Sequence, residues 1–136
     1  MFHLIKILGG RIGVAEPRRI PLTEAVTVSA GTAVRIANGT LTKMSAASSA
    51  PATHVTLADS TGKEVLAAAL SSDMLFEVPV SAAPADMRIG NEYAIDGDGL
   101  TVSATAVSSG KRGVILVSTD GASAAGDKLT VRFPSL

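Results

Sequence analysis

The sequence predicts an all-β fold, built as a single small β-barrel or β-sandwich of short antiparallel strands. Short runs in which apolar and polar residues alternate are separated by turn-forming residues roughly every ten positions, a spacing typical of such folds. The composition agrees, because the chain is rich in small and β-branched residues and only 3% of it is aromatic. At 136 residues the chain can bury one core without disulfides, and it contains no cysteine.

The strongest strand signal lies in residues 24–44. Val34 and Ile36 alternate with polar residues, which places them on one face of a strand. Asn38-Gly39 follows, and both residues tolerate the positive φ that a type I′ turn needs. We therefore predict a β-hairpin across Asn38-Gly39, with a short strand leading into it.

A related pattern returns at residues 90–102. Gly31, Val34, Ile36, Asn38-Gly39 and Leu41 of the first pattern correspond to Gly90, Tyr93, Ile95, Asp98-Gly99 and Leu100 of the second. In both cases an apolar run ending in aspartate follows, at residues 54–59 and 114–120. Two interpretations stay open, an internal duplication or the repetition of hairpins found in any all-β chain, and the sequence slightly favours the second.

Residues 64–70 are the one ambiguous element. Their alanines favour a helix by propensity, whereas their short length and the strand-like run at 74–80 favour a hairpin arm. We predict a strand. Pro79 lies in the following run, so that strand is expected to lie at a sheet edge or to end there.

The start of the chain forms a region of its own, and we divide the sequence into an extended N-terminal arm (1–22) and a β-rich globular domain (23–136). Pro17 and Pro21 each remove an amide donor and favour extended backbone before them. The apolar residues of this region would promote aggregation unless they paired with something. The partner is either another protein or the domain's own sheet, and the sequence does not choose between them.

Composition argues against several classes of partner. Twelve basic residues balance twelve acidic ones, so no net charge favours nucleic acid or an anionic membrane surface. Three phenylalanines and one tyrosine are too few for a platform on which bases stack. His3 and Lys6 interrupt the apolar start of the chain, which predicts neither a signal peptide nor a transmembrane helix. We expect a soluble protein made in the cytoplasm.

No motif in the chain predicts catalysis, a cofactor or a metal site. Residues 96–99 (DGDG) resemble the start of a calcium loop, but the twelfth position holds Val107 where an acidic ligand is required. His3 and His54 are the only good general bases near neutral pH, and no catalytic motif surrounds either one. We predict that the protein is not an enzyme.

Five segments of the chain occur in a recognisable order: residues 5–17 (IKILGGRIGVAEP), 31–34 (GTAV), 38–43 (NGTLTK), 50–55 (APATHV) and 76–78 (FEV). In this order they resemble small capsid decoration, or head cement, proteins of tailed bacteriophages. The resemblance covers most of the chain and implies an all-β protein that oligomerises and binds outside the expanded capsid shell. It carries over no catalytic residue and no cofactor.

The function implied by this resemblance is a structural virion protein on the capsid exterior, with the major capsid protein as its partner. The arm would anchor the protein across neighbouring capsid subunits. The residues predicted to contact the capsid are apolar and basic side chains of the arm: Phe2, Ile5, Ile7, Arg11, Ile12, Arg18 and Arg19. Self-association is expected, with a trimer favoured and a dimer as the rival.

Two other functions stay open. One is a different virion module, such as a head fibre base or a tail-associated adhesin, although exposed aromatic rings for sugar binding are scarce and no fibre repeat occurs. The other is a small β-barrel enzyme or ligand binder, which a ligand-dependent thermal shift would reveal.

Overall fold

Eleven β-strands account for almost all of the regular structure in the residues that the computed structural model describes, which are 1–7 and 17–134. The strands are β1 (His3–Ile7), β2 (Pro17–Pro21), β3 (Ala33–Ala37), β4 (Thr40–Lys43), β5 (His54–Thr56), β6 (Glu64–Ala69), β7 (Met74–Pro79), β8 (Glu92–Asp96), β9 (Thr101–Ala106), β10 (Val114–Ser118) and β11 (Lys128–Arg132). They form two antiparallel sheets in a sandwich-like arrangement, and neither sheet closes into a barrel within this part of the chain. The prediction of an all-β fold is confirmed.

The two sheets share one strand order. The six-stranded sheet runs β1-β7-β11-β10-β8-β9, and the five-stranded sheet runs β2-β6-β5-β3-β4. Once β1 is set aside, β2 to β6 occupy the same places in one sheet as β7 to β11 occupy in the other. The chain therefore repeats one five-strand topology.

Individual hydrogen bonds repeat with the topology. Gly31 donates its amide to Thr56 O (2.7 Å), and Gly90 donates to Leu116 O (2.9 Å) at the matching place in the other sheet. Both glycines have positive φ, 75° for Gly31 and 90° for Gly90. The shared topology, pairing and backbone conformation favour an internal duplication over a chance recurrence of hairpins.

The first predicted hairpin is confirmed. β3 and β4 pair across Asn38 and Gly39, whose φ values of 53° and 74° are those a type I′ turn requires. The second hairpin, β8 to β9, has a longer connection, which includes a 3-10 turn at Gly97–Gly99. All three residues of this turn have positive φ. The strand predicted at residues 64–70 is also confirmed, as β6, and β7 ends at Pro79 as expected.

The core has two parts. The larger cluster takes side chains from both sheets, and its largest fully buried members include Phe133, Met44, Ile95 and Leu116. A smaller cluster contains Val34 of β3, whose neighbour Ala33 belongs to the larger cluster. Adjacent strand residues point to opposite faces, so the five-stranded sheet is covered on both sides at this point.

The first residues of the chain are strands of the domain's own sheets, and an extended arm is not confirmed. β1 pairs with β7 at one edge of the six-stranded sheet, and β2 pairs with β6 at one edge of the five-stranded sheet. The physical reason is burial: Phe2 is 2% exposed, and Leu4 and Ile7 pack against the larger core. Residues 8–16, which complete the predicted arm, lie outside the described residues.

The prolines of β2 protect an exposed sheet edge. Leu22 donates its amide to Lys63 O (2.8 Å), so by strand alternation the amides two and four residues earlier also point to β6. Pro17, Arg19 and Pro21 are the intervening residues, and their nitrogens face away from β6. Two of these three outward positions lack an N–H, which weakens the template for adding another strand.

The repeated glycines give a matched test of the packing at the start of the chain. A Cβ at Gly31 would collide with Cγ of Met1, whereas nothing lies within 4 Å of a Cβ at Gly90. Gly90→Ala should lower the free energy of unfolding by about 1–2 kcal/mol, the cost of a left-handed alanine. Gly31→Ala should cost more, because it also displaces Met1. Urea unfolding measures both variants, and equal losses would show that Met1 does not pack on Gly31.

Candidate interaction surface

The first two residues are held by contacts with distant parts of the fold. The Phe2 ring packs against Phe133 and Phe76, with ring centroids 5.2 and 6.3 Å away, and the other two rings meet edge to face at 5.3 Å. The Phe2 amide donates to Gly31 O (2.7 Å), and the Met1 ammonium donates to Leu100 O (2.6 Å). Residues 1 and 2 are therefore fixed to both halves of the repeated topology.

A β-bulge decides which side of β1 is exposed. Leu4 lies opposite Phe76 and Lys6 lies opposite Leu75, so Ile5 is the extra residue without a partner on β7. The bulge shifts the alternation, which lets both Leu4 and Ile7 pack against the core. Ile5 is left 45% exposed.

An apolar groove lies beside β1, where the strand meets the five-stranded sheet. It has a volume of about 240 Å³, and its lining includes Met1, Leu4, Val55 and Leu57. Met1 is 53% exposed and Leu57 is 44% exposed. We call Met1, Ile5 and Leu57 the N-terminal apolar surface. The sequence alone does not predict Met1 and Leu57 as contacts, because only the pairing of β1 and the position of β5 bring these two residues to one groove.

The predicted basic contacts lie on the other sheet. Arg18 and Arg19 belong to β2 and are exposed at its edge. Arg19 pairs with Glu64 at 3.2 Å, but both side chains are more than half exposed, so the pair contributes at most about 1 kcal/mol. β2 therefore presents a basic, proline-flanked edge.

The structure does not gather the predicted capsid-contacting residues into one site. Phe2 is covered by the chain's own core, and Ile7 is half-buried against it. Ile5 lies on the exposed side of β1, while Arg18 and Arg19 lie on the other sheet. Arg11 and Ile12 fall outside the described residues. Within the part of the chain that the structure describes, Ile5 is the predicted apolar contact that faces solvent.

The polar residues singled out in the sequence have structural partners. Asp96 accepts hydrogen bonds from the hydroxyls of Ser81 (2.6 Å) and Thr101, which holds the turn that resembled a calcium loop. No group of three potential metal ligands occurs among residues 1–7 and 17–134. Nδ1 of His54 lies 2.8 Å from the hydroxyl oxygen of Thr53. Partial burial lowers the pKa of this imidazole.

Comparison with known proteins leaves the family undetermined: no protein-family model matches the chain, and no characterised protein matches it either. No helix within the described ranges is long and apolar enough to cross a membrane.

The half-buried imidazole of His54 gives the fold a predictable pH dependence. Because the pKa of His54 is lowered from its ordinary value of 6.5, the unfolded chain binds this proton more tightly than the folded protein. The contribution of neutral His54 to the free energy of unfolding is therefore fully present above the ordinary pKa of 6.5, and it is lost as the pH falls from there through the folded pKa. His54→Gln should flatten the decrease in urea midpoint between about pH 7.5 and 5, whereas His3→Gln should leave it in place. An unchanged slope in His54→Gln would contradict this assignment.

Proposed function

We propose that the protein is a structural virion component that binds the outer surface of an expanded phage capsid and stabilises contacts between capsomers. The order of its five segments, from residues 5–17 to 76–78, supports this proposal through the resemblance to capsid decoration proteins. A compact all-β scaffold with a surface for a protein partner is the structural context that such a function needs.

The observation that carries the proposal is the N-terminal apolar surface. Met1 and Leu57 line an apolar groove and are 53% and 44% exposed. Ile5 is 45% exposed and follows Leu4, another residue of the groove, in β1. Covering such side chains stabilises a complex by about 25 cal/mol for each Å² removed from water. A rigid surface also loses little conformational entropy on binding, which favours affinity.

The geometry modifies the anchor that was expected from the sequence. In place of a free arm, the proposed contact is the outward side of β1 through Ile5, with the half-buried Ile7 at its margin and with Arg18 and Arg19 of β2 as polar contacts. Arg11 and Ile12, which lie between β1 and β2 in the sequence, remain predicted contacts. Phe2 acts indirectly, because its ring holds β1 in position.

Stabilisation would follow from selective binding. A protein that binds the expanded shell and not the unexpanded one shifts the equilibrium toward the expanded state by mass action. We propose that the copies associate as a trimer about a capsid symmetry axis, with a dimer as the rival, so that neighbouring capsomers are joined. A specific contact of this kind should bury about 1,000 Å² or more.

The proposal is tested by sedimentation of the purified protein with emptied shells of the capsid encoded beside it. We expect saturable binding to expanded shells at micromolar protein and none to unexpanded shells. Ile5→Asp should weaken binding about tenfold or more, because it places a charge in the apolar contact. Ile89→Asp is the matched control, since Ile89 is 71% exposed and lies on the loop before β8.

Two outcomes would contradict this account. Failure of the wild-type protein to pellet with expanded shells would reject capsid decoration, and electron microscopy of labelled virions would then show whether the protein lies on the tail. Equal binding by Ile5→Asp and the wild type, with both folded by circular dichroism, would reject the N-terminal apolar surface as the contact.

A further inference from the structure

A cationic cavity lies at the edge of the five-stranded sheet opposite to β2. It has a volume of about 310 Å³ and opens between the β3–β4 hairpin and the loop of residues 45–50. Arg35 and Lys43 line it together with the hydroxyl-bearing Thr42, Ser45 and Ser48. No aspartate or glutamate is among its lining residues.

The two cations of this cavity differ from three other basic residues of the described chain, which are paired with glutamates. Arg19, Arg112 and Lys128 each pair with a glutamate at 3.1–3.3 Å. Arg35 and Lys43 form no ion pair with any residue in the described ranges. With two cations and no acidic residue in its lining, the cavity is a local excess of positive charge on a chain whose formal net charge is zero.

Three of the donor side chains in the cavity, those of Arg35, Ser45 and Ser48, take part in hydrogen bonds of the fold. Arg35 is half-buried and donates from Nη1 to Pro51 O (2.9 Å), which fixes the plane of its guanidinium and leaves its other N–H groups available. The oxygens of Ser45 and Ser48 accept amide hydrogen bonds from Ala47 (3.3 Å) and Ser45 (2.9 Å). Each hydroxyl therefore keeps its own proton for a further acceptor.

We propose that this cavity binds a carboxylate, presented by an acidic side chain of a partner protein. The carboxylate would accept hydrogen bonds from the guanidinium of Arg35 and from the Ser45 and Ser48 hydroxyls, with the Lys43 ammonium adding charge. A planar guanidinium matches a planar carboxylate in a paired, charge-assisted contact, which is stronger than a contact between neutral groups. The site lies apart from the N-terminal apolar surface and does not depend on capsid binding.

The test is a titration of the ¹⁵N-labelled protein with sodium succinate, followed by two-dimensional NMR at constant ionic strength. We expect saturable shifts of the Arg35 Nε–H signal and of the Ser45 and Ala47 amides. Arg35→Gln should weaken succinate binding about tenfold or more, and Arg35→Lys should weaken it less, because lysine keeps the charge but loses the fork. Arg19→Gln is the matched control and should bind as the wild type does.

Three results would overturn the proposal. Sodium chloride at the same ionic strength could produce the same shifts, which would indicate general screening. The shifts could persist in Arg35→Gln while its spectrum remains that of the folded protein, which would place the anion elsewhere. Inorganic phosphate could bind while succinate does not, which would assign the cavity to tetrahedral oxyanions.

Discussion

The packing of three phenylalanine rings, Phe2, Phe76 and Phe133, is the interaction on which the described start of the chain depends. Phe2 precedes β1, Phe76 lies within β7, and Phe133 follows β11, so the cluster joins the first residues to a strand pair far away in sequence. Aromatic pairs at these separations contribute beyond the burial of their area. With the ring of Phe2 buried, its amide reaches Gly31 O, and the side chain of Met1 occupies the space that a Cβ at Gly31 would need.

The repeated topology explains why β1 stands out. β2 to β6 and β7 to β11 follow the same order, and among the described strands β1 is the additional one, beside β7. β2 and β7 hold equivalent places, yet β7 is covered by β1 whereas the outer edge of β2 carries prolines. β7 is thus covered by a paired strand, whereas the outer edge of β2 is a weaker template for another strand because Pro17 and Pro21 lack an N–H. The consequence for function is that exposed apolar side chains concentrate near β1, where Met1, Ile5 and Leu57 lie.

Local features of the sequence predicted much of the fold. The Asn38-Gly39 turn, the strand at residues 64–70 and the all-β class all follow from backbone preferences and alternation within a few residues. The sequence predicts an extended arm where the structure has the paired strand β1, because the burial of Phe2 depends on Phe76 and Phe133. These residues are more than 70 and 130 positions away in the chain. Pro17 and Pro21 favour extended backbone, which fits a free arm and an edge strand equally, and their outward-facing nitrogens leave the pairing of β2 intact.

The candidate site was less predictable than the fold. Residue type identified Ile5 and Phe2 as equivalent apolar contacts, but the bulge on β1 and the ring cluster place one at the surface and the other in the core. No local motif predicts a functional role for Arg35, because its neighbours Val34 and Ile36 indicate only a strand. Its cavity arises from the loop of residues 45–50, whose position is set by contacts outside any local motif.

Native-state amide hydrogen exchange tests most directly whether residues 1–7, which include β1, are part of the folded domain. The amide of Phe2 donates to Gly31 O at 2.7 Å, and β1 is paired along β7. His3 lies opposite Glu77, and strand alternation directs the His3 amide toward β7. We predict that the amides of Phe2 and His3 exchange far more slowly than in an unstructured peptide, opening only with the domain's larger unfolding events. Exchange at unprotected rates at Phe2 and His3, while Val131 of β11 remains protected, would contradict this account and restore a free N-terminal arm.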